Sequence, residues 1–256
     1  MQRFTLLNTR PAHQVSELNR LVETLGGEVV MCPTMEIDWL SPGNIQVTQM
    51  TDFDMVIFTS VNAIDGWLKW LQSLENRDFL CNLQCYAIGK ATQKRGVTLG
   101  LNIATLSNTQ FDSEHLLAHQ EMQHVVGLKI ALVKGVNGRT LIEDTLKKRG
   151  AEVTQLNVYQ RKPLTFCWQA WQDFIVSAKP ILLITSCESW HNLFNGLKQS
   201  LNDLKAVVDS LNQVFAVVVM SHRIADEIVA SGCSAPINVV ATQSNQGIVE
   251  AIQQYV

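Results

Sequence analysis

The sequence predicts an α/β protein built as two doubly wound parallel sheets flanked by helices. Three observations predict it. Apolar runs of strand length alternate with stretches of helical periodicity along the chain. Residues 127–161, GLKIALVKGVNGRTLIEDTLKKRGAEVTQLNVYQR, read as a complete β–α–β unit. That unit and its neighbours have counterparts elsewhere in the chain. A repeat of roughly half the chain is too long for a solenoid and fits a duplicated domain.

Taken in order, residues 4–30 give FTLLN as a strand, TRPAHQ as a turn, a helix over Val15–Leu25, Gly26-Gly27 as its stop and EVVM as a second strand. DMVIFTSVNAIDGWLKWL (Asp54–Leu71) is a strand ending in Thr-Ser, followed by an amphipathic helix on which Trp67 and Trp70 pack. LQCYAIGKATQKRGVTLGLNIATL (Leu83–Leu106) is a strand ending in Gly-Lys, a helix stopped by glycine and a short strand. FDSEHLLAHQ, near Phe111, is a helix opened by a polar cap. In the β–α–β unit, LKIALV is the nearly continuous apolar run of a strand covered on both faces. GVNGR turns into a helix that places Leu141, Ile142, Thr145 and Leu146 on one face, with Glu143–Lys147 and Asp144–Lys148 paired outside. AEVTQLNVYQR leaves as a strand whose alternation, Thr154, Leu156 and Val158 against Gln155, Asn157 and Tyr159, suits a more exposed position.

The second half repeats these elements. Gly26, Glu28 and Val29 align at one constant spacing with Gly150, Glu152 and Val153, and Arg10 aligns with Lys134. PILLITSCESWHNLFNGL (Pro180–Leu197) matches the Thr59–Ser60 segment, with Thr185 and Ser186 at the strand end. VFAVVVMSHRIADEIVASGCSAPINVVAT (Val214–Thr242) matches the Gly89–Lys90 segment, and QSNQGIVEAIQ, near Gln243, matches the helix near Phe111. CPTMEIDW (Cys32–Trp39) and YQRKP (Tyr159–Pro163) contain proline, lack helical periodicity and read as connectors. Two crossings imply a chain that leaves one domain and returns to it: residues 1–35 and 163–256 form domain 1, residues 39–158 form domain 2, and the connectors lie near 33–39 and 158–163.

Composition narrows the function. The 256 residues are 46% hydrophobic and 17% charged, ordinary for a globular protein with ample core. The start lacks the pattern of a signal peptide and no apolar run approaches a membrane span, so a cytoplasmic location without membrane contact is expected. Six cysteines in such a chain read as free buried thiols. Cys81 and Cys85 have no second pair at zinc-finger spacing. His115 and His119, i,i+4 on an expected helix with His124 beyond, lack the glutamate of a metalloprotease motif and read as a solvated face. A net charge of −3 speaks against nucleic acid but leaves room for an anionic small molecule held by local donors. The signatures of dinucleotide, nucleoside triphosphate and serine-hydrolase sites do not occur.

In doubly wound sheets ligands bind beyond the carboxyl ends of the strands. Those ends are Thr9-Arg10, Thr59-Ser60, Gly89-Lys90, Gly135 to Arg139 with Gly138 between, Thr185-Ser186 and Ser221-His222-Arg223. Hydroxyls, glycines and cations opening helices suit a polyanion, although a Thr-Ser taken alone after a strand is more often an ordinary helix cap than a ligand site. Tyr159, one of three tyrosines, sits in a connector beside Arg161 and Lys162. A phenol beside cations can give its proton to a leaving group; its plain alternative is packing at a strand end. Trp168 and Trp171 read as core or hinge packing.

NTRPAHQ, FTSVNAI, AIGKATQ, FDSEHLL, the 127–161 stretch, ITSCES and SNQGIVEAI, in that order from end to end, resemble the uroporphyrinogen-III synthase family. The resemblance implies two α/β domains joined by a two-stranded connector with the active site in the cleft. It implies a monomer of tetrapyrrole biosynthesis that cyclises hydroxymethylbilane without metal or organic cofactor, inverting the last pyrrole ring through an azafulvene and a spiro intermediate. It allows transient contact with hydroxymethylbilane synthase. It assigns Tyr159 to assisting hydroxyl loss. It assigns substrate contacts to Thr59, Ser60 and Asn62 of the FTS-x-N motif, Gly89, Lys90 and Thr92 of IGKAT, and Thr185 and Ser186. Arg10, Gly135, Gly138, Arg139 and Ser221 complete the expected substrate set. Where many members carry a second Gly-x-x-Thr turn this chain has MSHRIA, so His222 and Arg223 bring charge there. The competing readings are a non-catalytic two-domain binding protein for an anionic small molecule, and a different cofactor-free α/β transferase or isomerase.

Overall fold

A computed structural model describes residues 3–43, 52–73, 83–106 and 112–256. The chain divides into two units: a flanking unit, Met1–Glu36 with Lys162–Val256, and a middle unit, Ile37–Arg161.

In the flanking unit β1 (Thr5–Asn8) has all four side chains buried. α1 (Ser16–Thr24) turns Leu18 and Val22 inward, and β2 (Glu28–Met31) follows. β3 (Met35–Trp39) carries the chain into the middle unit. There β4 (Met55–Phe58), wholly buried, runs into α2 (Val61–Trp70). β5 (Gln84–Ala87), α3 (Lys90–Thr98), β6 (Ile103–Thr105) and α4 (Ser113–Ala118) come next. β7 (Lys129–Gly135), α5 (Leu141–Lys148) and β8 (Glu152–Pro163) close the unit, and β8, at 12 residues, leads the chain back out. The flanking unit is completed by α6 (Trp168–Ile175), β9 (Pro180–Ile184), α7 (Cys187–Leu201) and α8 (Leu204–Leu211). β10 (Ala216–Val219), α9 (His222–Ala230), β11 (Ile237–Val239) and α10 (Asn245–Gln253) end it.

The strands form a five-stranded sheet, order β11-β10-β9-β1-β2, and a six-stranded sheet, order β3-β8-β7-β4-β5-β6. All four pairings of the first are parallel, as are the four from β8 to β6 in the second. β3 is the exception, an edge strand running against β8: Leu40 N–H donates to Val158 O at one end and Leu164 N–H to Thr34 O at the other. The stretch CPTMEIDW, expected only as a connector, therefore also contributes a strand.

Each sheet is covered on both faces, which is why its central strands are apolar without alternation. In the flanking sheet Leu7, Leu182, Ile184, Val217 and Val219 pack under α6 to α9, while Leu6, Ile181, Leu183 and Val218 pack under α1 and α10. In the middle sheet Val56, Phe58, Ala131 and Val133 pack with Trp67 and Trp70 of α2, and Met55, Ile57, Ile130 and Leu132 with α4 and α5. Each large side chain buried fully in this way contributes about 1.5–3 kcal/mol.

Four expectations need correction. Leu141 is exposed rather than core, leaving Ile142 and Leu146 as the inward face of α5. α4 stops at Ala118 and His119 is extended, so His115 and His119 do not share a helical face. Cys32, Cys85 and Cys233 are free and buried, but Cys167 is exposed and Cys187 half-buried; Cys81 lies outside the described residues, as does Phe111. The simple alternation of β8 fails at its end, because Leu156, Val158 and Tyr159 all enter one core cluster.

Candidate functional site

That failure builds the site. β7 and β8 stay in register from Lys129–Glu152 to Lys134–Asn157, and then Gly135 pairs with Tyr159, leaving an extra residue on β8. A bulge of this kind puts consecutive side chains on the same side and bends the strand. Tyr159 is thereby swung inward over the end of β7, only 4% exposed. Its phenol oxygen lies 3.1 Å from Ser60 Oγ, and its ring meets Trp39 edge-on at 6.4 Å. Gly135 makes room for it: a Cβ there would stand 2.6 Å from the tyrosine Cζ.

β4 and β7 are neighbours at the point where the strand order of the middle sheet reverses, since β5 and β6 build out on one side and β8 on the other. Ligand crevices open at such a switch. A cavity of about 230 Å³ lies here, lined by residues that include Thr59, Ser60, Lys134, Arg139, Tyr159 and Arg161. Among the described residues, no carboxylate lines it. Ser60 is extended and caps α2, accepting from Ala63 N–H at 3.1 Å, so one hydroxyl serves both the helix and the phenol.

The turn after β7 is held by a buried cation. Lys134, 4% exposed, donates from Nζ to Gly138 O at 3.1 Å and Arg139 O at 3.2 Å. Asn137 takes the left-handed conformation, φ 62°, which lets the turn double back onto that ammonium. Arg139 is exposed and reaches Glu114 at 3.4 Å.

Of the expected site residues in the middle unit, Thr59, Ser60, Gly135, Gly138, Arg139 and Tyr159 line this one cavity. Asn62 and Thr92 are buried inside α2 and α3 and do not line it; Gly89 and Lys90 open α3. Lys134 is the functional candidate that motif reading passed over, and its alignment with Arg10 was the available signal.

The expected residues of the flanking unit lie at the carboxyl ends of β1, β9 and β10, the first two flanking the equivalent switch. Arg10 donates to Asn245 Oδ1 at 2.7 Å, and Asn245 in turn to Glu17. Burial pulls the Arg10 guanidinium below its ordinary value, with Glu17 acting the other way. Ser186 caps α7 through Ser189 N–H, and Thr185 beside it is half-buried. Ser221 precedes α9 without a side-chain cap bond, and His222 and Arg223 are exposed.

Among the described residues no three His, Cys, Asp or Glu side chains are arranged to hold a metal, and no helix is long and apolar enough to cross a membrane. His115 is engaged by Asp112 at 2.6 Å, and His119 accepts from Glu121 N–H.

The family profile described as uroporphyrinogen-III synthase HemD matches residues 16–247. The uroporphyrinogen-III synthase of Chlorobaculum parvum is 29% identical over 198 residues, 75% of this chain and 79% of that protein. The one from Escherichia coli is 31% identical over 165 residues, 62% of this chain and 65% of that protein. Among solved structures, a mutant uroporphyrinogen III synthase of Thermus thermophilus superposes with a TM-score of 0.60 at 17% identity, covering 98% of this chain and 99% of that one. That of Helicobacter pylori superposes at 0.59 and 16% identity, covering 99% and 100%. At such identities the structures speak for the fold alone, and the profile, spanning nearly the whole chain, speaks for the family. The chain belongs to the uroporphyrinogen-III synthase family.

Proposed function

We propose that this chain closes hydroxymethylbilane into uroporphyrinogen III, inverting the last pyrrole ring, and that the hydroxyl is lost at Tyr159. The observation that carries the assignment is a buried phenol 3.1 Å from a serine hydroxyl, at a cavity whose charged side chains are Lys134, Arg139 and Arg161. The names of the relatives support the reaction; the chemistry of the cavity supports the residue.

The phenol of Tyr159 donates its proton to the departing hydroxyl, which leaves as water and gives an azafulvene still protonated on nitrogen, paired with the phenolate. Ser60, fixed by Ala63 N–H, keeps the phenol aimed. The last pyrrole attacks through its substituted carbon, and the spiro intermediate fragments and recloses with that ring inverted. Ring closure releases one proton, which restores the phenol, so the net change is loss of one water. Uncatalysed closure gives the uninverted isomer, so folding the bilane is a large part of the task. Acetate and propionate arms find cations and hydroxyls at the rim. About 230 Å³ is below the roughly 300–1,000 Å³ that encloses a drug-sized ligand, so the cavity takes one end of the tetrapyrrole. Thr185, Ser186, Ser221 and Arg10 are further proposed substrate contacts. The free, buried thiols Cys85 and Cys233 fit a reducing cytoplasm.

Incubation with freshly made hydroxymethylbilane and separation of the oxidised products by isomer tests this reading. The expected product is the type-III isomer. Type-I isomer alone, formed at the spontaneous rate, overturns it and leaves a binding protein.

A further inference from the structure

We infer that Lys134 is a positioning residue for substrate binding, acting through the glycine turn rather than by touching the reacting atoms. The inference rests on the proposed reaction. A lysine almost wholly buried needs a reason, because desolvating an ammonium is costly unless it is paired. Here the partners are two backbone carbonyls of one turn, Gly138 O and Arg139 O, at 3.1 and 3.2 Å.

Drawing those carbonyls onto one cation fixes how the peptides of the turn face. Among the described residues, the N–H groups of Asn137 and Arg139 have no backbone acceptor, while Gly138 N–H closes the turn itself and Val136 N–H is held by Tyr159 O at 2.9 Å. Unspent amides beside a cavity make an anion-binding concavity, and Asn137 and Arg139 both line that cavity. The ammonium thus turns carbonyls away from the ligand and leaves amides for a carboxylate arm. Val136 ties the same turn to the backbone of Tyr159, so the amide cradle and the phenol are set by one piece of chain.

Two substitutions test this from opposite sides. Lys134→Met keeps the stem and removes the ammonium. Gly138→Val keeps the ammonium but displaces it, because a Cβ at Gly138 would already stand 3.0 Å from Lys134 Cε and 3.4 Å from Nζ, with two methyl groups beyond. Both are expected to raise KM for hydroxymethylbilane about tenfold or more with kcat within about threefold. Lys134→Arg, which can still reach carbonyls, is expected to recover most of the loss. Affinity for uroporphyrin III, read by fluorescence, should fall in parallel without any turnover.

A rise in KM for Lys134→Met but none for Gly138→Val would make Lys134 a direct ligand and overturn the inference. Loss of kcat at unchanged KM would also overturn it. Gly138 is exposed, so that variant keeps the test open if Lys134→Met does not fold. Failure of the wild-type protein to form type-III isomer would sink the proposed reaction instead, and the porphyrin affinities would still decide the role of Lys134.

Discussion

The flanking and middle units draw the same sheet with different stretches of chain. From β2 across, one runs β2-β1-β9-β10-β11; from β8 across, the other runs β8-β7-β4-β5-β6. The β–α–β unit comes first in the flanking unit and last in the middle one. The spacing shared by the two strand registers, carried onward along the sequence, aligns Arg10 with Lys134, Pro11 with Gly135 and Met35 with Tyr159, while the Thr-Ser ends align Ser186 with Ser60. Both switch points keep a serine cap and a cation. Only the middle one pairs a glycine with a tyrosine, so that a phenol lies on the serine. The difference lies deeper too. Behind the flanking rim Thr9 donates to Leu183 O at 2.7 Å, and Ser189 stands 3.0 Å from both Thr9 and Thr34, all buried. Behind the middle rim the aligned residues are Val133, Ala63 and Val158, all 0% exposed. A duplicated frame thus supplies two strand-end rims with a serine cap and a cation, and a few substitutions give one of them a buried phenol.

The sharpest way to break this asymmetry is Gly135→Val, which puts side-chain carbon where the tyrosine ring lies. It should lower kcat about a hundredfold or more, whereas Pro11→Ala at the aligned position should leave kcat within about threefold. Steady-state kinetics on the pair checks it.

The hydroxyl chain offers the next largest effect. Thr9→Val alone strands a buried partner and should cost about 1–3 kcal/mol. The triple change Thr9→Val, Ser189→Ala and Thr34→Val copies the apolar set of the middle unit and should cost less than its worst single member. Urea unfolding of the two proteins decides it.

Ser60→Ala and Ser186→Ala should each lose about 1 kcal/mol of helix cap. Their kinetics should part: Ser60→Ala lowers kcat several-fold because the phenol loses its guide, while Ser186→Ala acts on KM. A matching fall in kcat for both would erase the distinction between the rims.

The smallest effect is shared. Burial pushes the Cys32 thiol up to about 11 and the Cys85 thiol to about 12, from an ordinary 9.0. A raised thiol pKa leaves stability at its full value below pH 9, where the thiols of both states are neutral, and erodes it as pH climbs from 9 through 11 and 12, because the unfolded chain gives up its protons first. Urea midpoints should therefore carry no contribution from either thiol below pH 9 and fall above it. Replacing each by alanine should flatten part of that fall in both units.

Much of this was legible in the sequence because the fold rests on period and punctuation. Apolar runs such as MVIF and LKIALV declare strands covered on both faces, and serines at strand ends declare caps; Ser60 and Ser186 do cap their helices. Duplication exposed the pairing of Arg10 with Lys134. The β-bulge was not legible: simple alternation puts Tyr159 opposite Val158, and only the register shift beside Gly135 brings both into one cluster. Lys134 escaped for a related reason. A lysine at a strand end looks like a ligand for an anion, and its actual partners are two carbonyls that no side-chain motif records. Asn62 and Thr92 read as contacts from their motifs, and the structure buries both within their helices.

The most direct test of the central claim is the turnover of Tyr159→Phe on freshly made hydroxymethylbilane, with products resolved by isomer and unfolding measured alongside. The phenyl ring still fills the space over Gly135, so stability should change by no more than about 1 kcal/mol. Formation of the type-III isomer should fall about a hundredfold or more, with the remaining product shifting toward type I. Type-III isomer formed at the wild-type rate would contradict the account and leave Tyr159 as packing.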